Sequence, residues 1–508
     1  MKICFMLQRR FAYIGHTLAS QLNQKYGIEN FCGYVAMRKS FNFIKNKKSP
    51  RFSELILDED IHRRYKTEII DCDFIKKLEK DHGLPNLWPY IELDRIIRSN
   101  QHIRVFPYDT PAYSHEEMIK IVQVNAKAII KFLDESKPDV LITPVIASIG
   151  SLMLYQMAKK RNIKTLIIHS ARIGIKHMIN EDIINYSSAI NLFDKLQTNK
   201  IDYPEEQAKA IALLEKFRRQ LQPYSLADLP KFRPINRRRQ FIFLTPKKLI
   251  WSIRWHYRII ICYLTDPYRD DYTNINPFLQ IWDNLKKKIR VLIGYGDLCD
   301  EIVPNEDFAY FPIHQEPENA TLLYAPFYKD QLWLIKQMAR SLPLNFKLYL
   351  KEHPTMHGHR LRRFYKELKK IPNIKLIKPE IESSSLIINA KLIFTISGTT
   401  GWEAVQLKKP IVVFSDVFYS YLPMVKKCVA IEQLPYLVKD QLENFKHDEI
   451  ALINFLTAIL HESVDADLAQ LWDIEGGGQI ENKKDQLTPL TDLIAKRLNL
   501  KPLKQTNL

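Results

Sequence analysis

The stretch KLIFTISGTTGWEAV, residues 391–405, decides the fold. Its first half, 392–396, is a short continuous apolar run of the kind a strand covered on both faces requires. It hands over through Ser397-Gly398-Thr399-Thr400-Gly401 to a helical pattern, and a strand feeding a helix in this way is the repeating unit of a doubly wound α/β sheet. The turn offers hydroxyls, glycines that admit close approach and the unpaired amides of a helix start, a combination that suits an anion. Thr400 and Glu403 also stand at capping-box spacing, so Thr400 is expected to cap the helix while Ser397 and Thr399 face the ligand. Glu403 has a second reading, as a partner for a ribose hydroxyl.

Outward from this stretch, apolar runs at 308–313, 346–350, 374–377 and 411–414 alternate with helical patterns near 328–341, 360–370, 384–390 and 401–408. Each run ends in a polar or small-residue cluster: His314-Gln315-Glu316-Pro317-Glu318, Lys351-Glu352-His353-Pro354, Pro379-Glu380, Ser397-Gly398-Thr399-Thr400 and Ser415-Asp416. Ligands of open parallel sheets bind beyond the carboxyl ends of the strands, so these clusters should converge on one crevice. There His353, restrained by Pro354, could donate to a phosphate oxygen or protonate a leaving phosphate. Lys351 adds a cation, and Arg360 is the arginine of the following helix expected to turn inward. Glu316 and Glu318 are the acid/base candidates. The P-loop pattern is missing, which excludes a P-loop NTPase, and the lack of G-x-G-x-x-G after any strand argues against a dinucleotide dehydrogenase. With no Asp-x-Asp at a strand end, no metal site is expected.

The first half carries two further strand–helix–strand patterns, at 2–35 and 139–169, and reads as a second Rossmann-like lobe. The expected layout is an N-terminal lobe over 1–200, a basic helical bridging or inserted region over 201–305, a C-terminal lobe over 306–435, and a helical region over 436–508 with a break at Gly476-Gly477-Gly478. Within the bridging region, 249–264 (LIWSIRWHYRIIICYL) is too short and too charged to span a bilayer. We read it as a partly buried helix with a basic rim, the alternative being a segment lying in a membrane interface. The net charge of +18 calls for an acidic partner: a nucleotide sugar, a glycolipid phosphate or an anionic membrane surface. Nucleic acid is not expected, since no zinc-finger, RRM-like or basic-zipper pattern occurs. Six scattered cysteines read as buried thiols in a reducing compartment and the N-terminus as a first buried strand, so a cytoplasmic location is expected, with the inner face of the cytoplasmic membrane as the further option that the basic charge leaves open.

The segments FPIHQEPENAT, YKDQLWLIKQMARSLP, LYLKEHPTMHGHR, FYKEL, IPNIKLI, TISGTTGWEAV and KKPIVVF, with Phe418-Tyr419, resemble in order and spacing the bacterial capsule polysaccharide biosynthesis family, which includes Kdo transferases. More loosely, KEHP followed by a Ser/Thr-rich loop is similar to the paired HP and Ser/Thr motifs of bacterial sialyltransferases. The resemblance implies a GT-B fold, two Rossmann-like lobes facing a central cleft. It implies a nucleotide-sugar donor on the C-terminal lobe, with CMP-linked acidic sugars the donors of the families it resembles, a glycan or glycolipid acceptor on the N-terminal lobe, and no cofactor or essential metal. By motif it assigns the donor phosphate to His353, Ser397, Thr399 and Thr400, with Lys351, Pro354, Arg360, Gly398 and Glu403 around them. The carboxylate-rich motif of sialyltransferases has no counterpart in the first lobe, so no catalytic base is named; Arg172 and Gly174, although family-like, name no role either. Two other readings fit the same pattern: a UDP-sugar 2-epimerase, which would turn over UDP-GlcNAc without an acceptor, and a non-catalytic scaffold subunit of a surface-glycan complex.

Overall fold

A computed structural model describes residues 1–508 apart from 83, 85, 101–110, 145, 199, 222–240, 243, 271, 275, 473–482 and 504–508. The Gly476-Gly477-Gly478 break and most of the basic passage before Pro246 therefore lie outside the described residues. The chain divides into two units, residues 1–94, 113–210 and 453–508 forming the first and residues 95–112 and 211–452 the second.

In the first unit, β1 (Lys2–Leu7), β2 (Asn30–Val35), β3 (Phe52–Leu57), β4 (Val140–Thr143), β5 (Lys164–Ser170) and β6 (Lys176–Asn180) lie in the order β6-β5-β4-β1-β2-β3. β1 to β5 are parallel, and β6 runs antiparallel to β5. From Ile3 to Leu7 every side chain of β1 is buried, because both faces of the sheet are covered, and this is why its sequence is an unbroken apolar run.

The second unit repeats the plan. β7 (Phe308–Ile313), β8 (Lys347–Glu352), β9 (Ile374–Ile377), β10 (Leu392–Thr395), β11 (Ile411–Val413) and β12 (Val425–Lys427) form a wholly parallel sheet in the order β12-β11-β10-β7-β8-β9. In both units the strand order reverses beside the first strand, the arrangement of dinucleotide-binding folds, so each has a topological switch point. In the second unit it falls between β7 and β10. The core there joins Phe311 and Ile313 to Leu348, Leu350 and Phe394, with Leu334, Ile335 and Met338 from the helix Gln331–Ser341.

Two expectations about layout need correcting. The region 436–508 is not a separate helical appendage: 453–508 belongs to the first unit, where β13 (Ser463–Asp465) pairs antiparallel with β6. The helix Thr488–Arg497 buries Leu490, Leu493 and Ile494 in the first core, each contributing about 1.5–3 kcal/mol. The bridging region is not independent either, since 211–305 clusters with the second unit. Its helix Pro246–Thr265 is partly buried as expected, through a half-buried stripe, but has no fully buried residue.

Candidate functional site

The polar clusters at the ends of β7, β8 and β10 meet because their strands are neighbours. Ile313 pairs with Glu352, and Tyr310 with Ile393, so one step past the strand ends His314, His353 and Ser397 stand at a common level. His314 is in the middle, at the switch point. The Ser397 amide donates to its Nε2 at 3.4 Å, and Thr395 Oγ1 lies 3.2 Å from the same nitrogen. The Gly398 amide donates to Thr395 Oγ1 at 2.9 Å. Burial, with His353 and Arg360 nearby, pulls the His314 pKa down to about 3, so the ring is neutral and Nε2 accepts. A Cβ at position 398 would sit 2.8 Å from Thr395 Oγ1 and 3.1 Å from His314 Nε2, which is why glycine occupies this turn.

The helix beyond begins at Thr399, with Gly398 as its N-cap and no side chain bonded to the first amides. This corrects the capping-box reading. The chain turns into the helix earlier than the T-x-x-E spacing suggests, which places Thr400 inside the first turn and Glu403 too far along to reach back. The helix start is left with amide donors that no capping side chain satisfies, the property that makes such a terminus attract anions. Ser397 donates its hydroxyl to the Ala320 carbonyl at 2.8 Å, tying β10 to the loop after β7, while Thr399 and Thr400 are half-buried at the mouth. Tyr419 braces the turn, donating to the Gly398 carbonyl at 2.7 Å.

Lys351 and Glu352 are the last residues of β8 and, alternating along the strand, serve different faces. Lys351 Nζ lies 3.0 Å from Ser383 Oγ. Burial lowers its pKa to about 8 against the pull of Glu382, Glu380 and Glu403. Glu403 is itself buried, which pushes its carboxyl up to about 7 although Lys351 opposes the shift.

A carboxyl whose pKa rises on folding stabilises the fold only while protonated. That contribution is complete below the unfolded value near 4.5 and is lost as the pH climbs through about 7. Glu403→Gln should therefore gain about 3 kcal/mol relative to the parent between acid and mildly alkaline pH. Urea midpoints on either side of that window measure it, and a pH-independent difference would place the carboxyl in water.

Glu352 looks the other way. It accepts from Tyr365 Oη at 2.8 Å and from the His353 amide at 2.9 Å, and it pairs with Arg360 Nε at 2.9 Å. Arg360 Nη1 reaches Glu316 Oε2 at 2.7 Å, and Nη2 donates to the His314 carbonyl at 2.6 Å. Burial works against the guanidinium charge, but Glu316 and Glu352 outweigh it and hold its pKa above the usual value. Arg360 does turn inward as expected, yet it meets Glu316, one of the two acid/base candidates, instead of an open crevice. Glu318, the other, is half-buried at the start of the short helix Asn319–Leu322.

His353 occupies the N-cap of the turn Pro354–Met356, with Pro354 at its first position. The Thr355 amide donates to Nδ1 at 3.3 Å, which leaves the ring proton on Nε2; Thr355 Oγ1 lies 2.7 Å from Nδ1 and donates to Gln315 Oε1 at 2.8 Å. Burial, then Lys351 and Arg360, lower its pKa to about 4. At neutral pH the His353 ring is accordingly uncharged.

Sequence reasoning passed over His314, although it follows β7 as His353 follows β8. It also passed over a buried group in the first unit, where Asp58 directly follows β3. Burial raises its carboxyl to about 7; Tyr34 and His62 oppose the shift, and Asp94 and Glu59 add to it. The signal was the acidic triplet Asp58-Glu59-Asp60 closing an apolar run.

Residues 325–427, which hold Lys351, His353, Arg360 and the helix start, match the family model described as capsule polysaccharide biosynthesis protein. No curated protein matches the chain. Among solved structures, the chain is similar to KpsC of Thermosulfurimonas dismutans, titled a beta Kdo 2,7 transferase, at 14% identity over 72% of this chain and 89% of that one, with a TM-score of 0.36. A UDP-GlcNAc 2-epimerase from Methanocaldococcus jannaschii aligns at 14% identity over 88% and 95% of the two chains, with a TM-score of 0.23. A glycosyltransferase from Rickettsia africae aligns at 10% identity over 96% and 98%, with a TM-score of 0.26.

Proposed function

From the premise that residues 325–427 match the capsule polysaccharide biosynthesis family model and carry an anion-ready helix start, we propose that the protein is a GT-B glycosyltransferase. It takes a nucleotide-activated sugar, a CMP-linked acidic sugar such as Kdo, and passes the sugar to a surface polysaccharide or glycolipid at the cytoplasmic face of the membrane. The observation carrying this reading is the uncapped start of Thr399–Gln406 at the switch point, flanked by the His353 imidazole donor and the Lys351 ammonium.

The donor phosphate sits against the amides of Thr399 and Thr400, with His353 Nε2–H and Lys351 to either side. As the acceptor hydroxyl bonds to the anomeric carbon and releases its proton to water, the bond from that carbon to the phosphate oxygen breaks and negative charge gathers on the departing nucleotide. Fixed dipoles and one cation are already aimed at that charge, which is the condition for electrostatic catalysis. Because they supply the positive field themselves, the reading requires no metal. Arg360 acts from behind, holding His314 and Glu352, and through Glu352 the backbone of His353.

Calorimetric titration with CMP, UDP, GDP and CDP-glycerol is the test. CMP is expected to bind best. If none of the four binds at millimolar concentration, the proposal fails.

A further inference from the structure

The helices Pro246–Thr265 and Pro277–Ile293 of the second unit have no part in the donor site, and their surfaces are unlike the rest of the molecule. Half of the large apolar side chains exposed among the described residues, 19 of 38, fall between positions 241 and 293. They are arranged in order. On the first helix Ser252, Trp255, Ile259 and Tyr263 form a half-buried stripe. Ile250, Ile253, Tyr257, Ile261 and Leu264 form a second stripe that is exposed. On the second helix Phe278, Trp282, Leu285, Ile289 and Leu292 repeat the exposed stripe at the same three-and-four spacing. A 20-residue helix with no fully buried residue gains little from its own fold, since most helical stability comes from packing an apolar face.

Charge selects the occupant. The first helix carries four Lys or Arg and no Asp or Glu, and the second carries four and one. Lys247, Lys248, Arg254 and Arg258 are all exposed. Two copies meeting through this face would bring the four exposed basic side chains of the first helix against four more, with no exposed carboxylate on either helix to answer them, a repulsive arrangement. An anionic lipid surface reverses the sign of that interaction, and Trp and Tyr beside long basic side chains suit the headgroup boundary. No helix among the described residues is long and apolar enough to cross a bilayer, so insertion would be shallow.

We propose that these two helices dock the protein onto an anionic bilayer, lying in the interface with both exposed apolar stripes turned into the lipid. The site gives the enzyme a two-dimensional search for a lipid-linked acceptor, but it stands independently of the donor reading and is tested without any nucleotide.

Vesicle co-sedimentation of the full chain is the experiment, with phosphatidylcholine alone and with phosphatidylcholine containing phosphatidylglycerol. Binding is expected only to the second. The triple variant Lys247→Gln, Arg254→Gln, Arg258→Gln should weaken it about 100-fold, from roughly 1 kcal/mol per basic residue near the surface. The double variant Ile253→Glu, Trp282→Glu, at positions already exposed to solvent, should abolish it with an unchanged circular dichroism spectrum. Absence of binding to the anionic vesicles, or binding that neither variant reduces, overturns the proposal. So does a dimer in sedimentation velocity that the Ile253→Glu, Trp282→Glu variant dissolves, since the face would then belong to a second copy.

Discussion

Arg360→Leu is expected to destabilise the second unit by about 3–5 kcal/mol, the usual cost of removing one member of a buried charge network. The side chain is 6% exposed and holds Glu316 and Glu352 together with the His314 carbonyl. Leucine fills much of the volume but answers neither carboxylate, and Glu352 is 2% exposed with no water to turn to. A urea unfolding curve of the second-unit transition gives the magnitude. The triple variant Arg360→Leu, Glu316→Gln, Glu352→Gln should recover a large part of the loss, because it removes the stranded charges with their partner. If the single variant is as stable as the parent, the network is not buried as described.

His353→Ala is expected to lower turnover on the order of 10²–10³-fold, the usual effect of deleting one preorganised donor to developing negative charge. The pH dependence separates this role from acid catalysis. With a pKa near 4, His353 adds no inflection around neutrality. Lys351 does add one: donor binding should weaken as the pH rises through about 8, where the ammonium loses its proton. A wild-type profile with an ascending acid limb near pH 6 that disappears in His353→Ala would mean that the imidazole transfers a proton after all.

The second sheet was readable because a parallel strand buried on both faces must be continuously apolar, and β7, β10 and β11 announce themselves in that way. β13 was not, because Ser-Val-Asp at the edge of a sheet carries no such run. The level of the site was readable too, since strand ends can be placed even when partners cannot. The Arg360–Glu316 pair spans 44 positions of sequence, and nothing local foretells it. T-x-x-E misled for a different reason: capping depends on where the backbone leaves the helical region, and here Gly398 makes that turn two residues before Thr400. In the helix Pro246–Thr265 the apolar content was plain, but composition does not say whether such a face is covered.

The return of β13 to the sheet of β6 has a consequence for synthesis on the ribosome. The first unit receives its edge strand and the helix Thr488–Arg497 only after the intervening 211–452 has been made. The inserted unit thus emerges with its own parallel sheet complete while the earlier-made segment still lacks Leu490, Leu493 and Ile494 from its core. Domains generally fold as units during translation, N-terminal first, and this chain inverts that order. The half made first is the last to close, and it waits as an apolar sheet with one edge unpaired while 211–452 is made, about 12–50 seconds of elongation. A nascent chain arrested just short of β13 is therefore the species on which a chaperone would be expected to act.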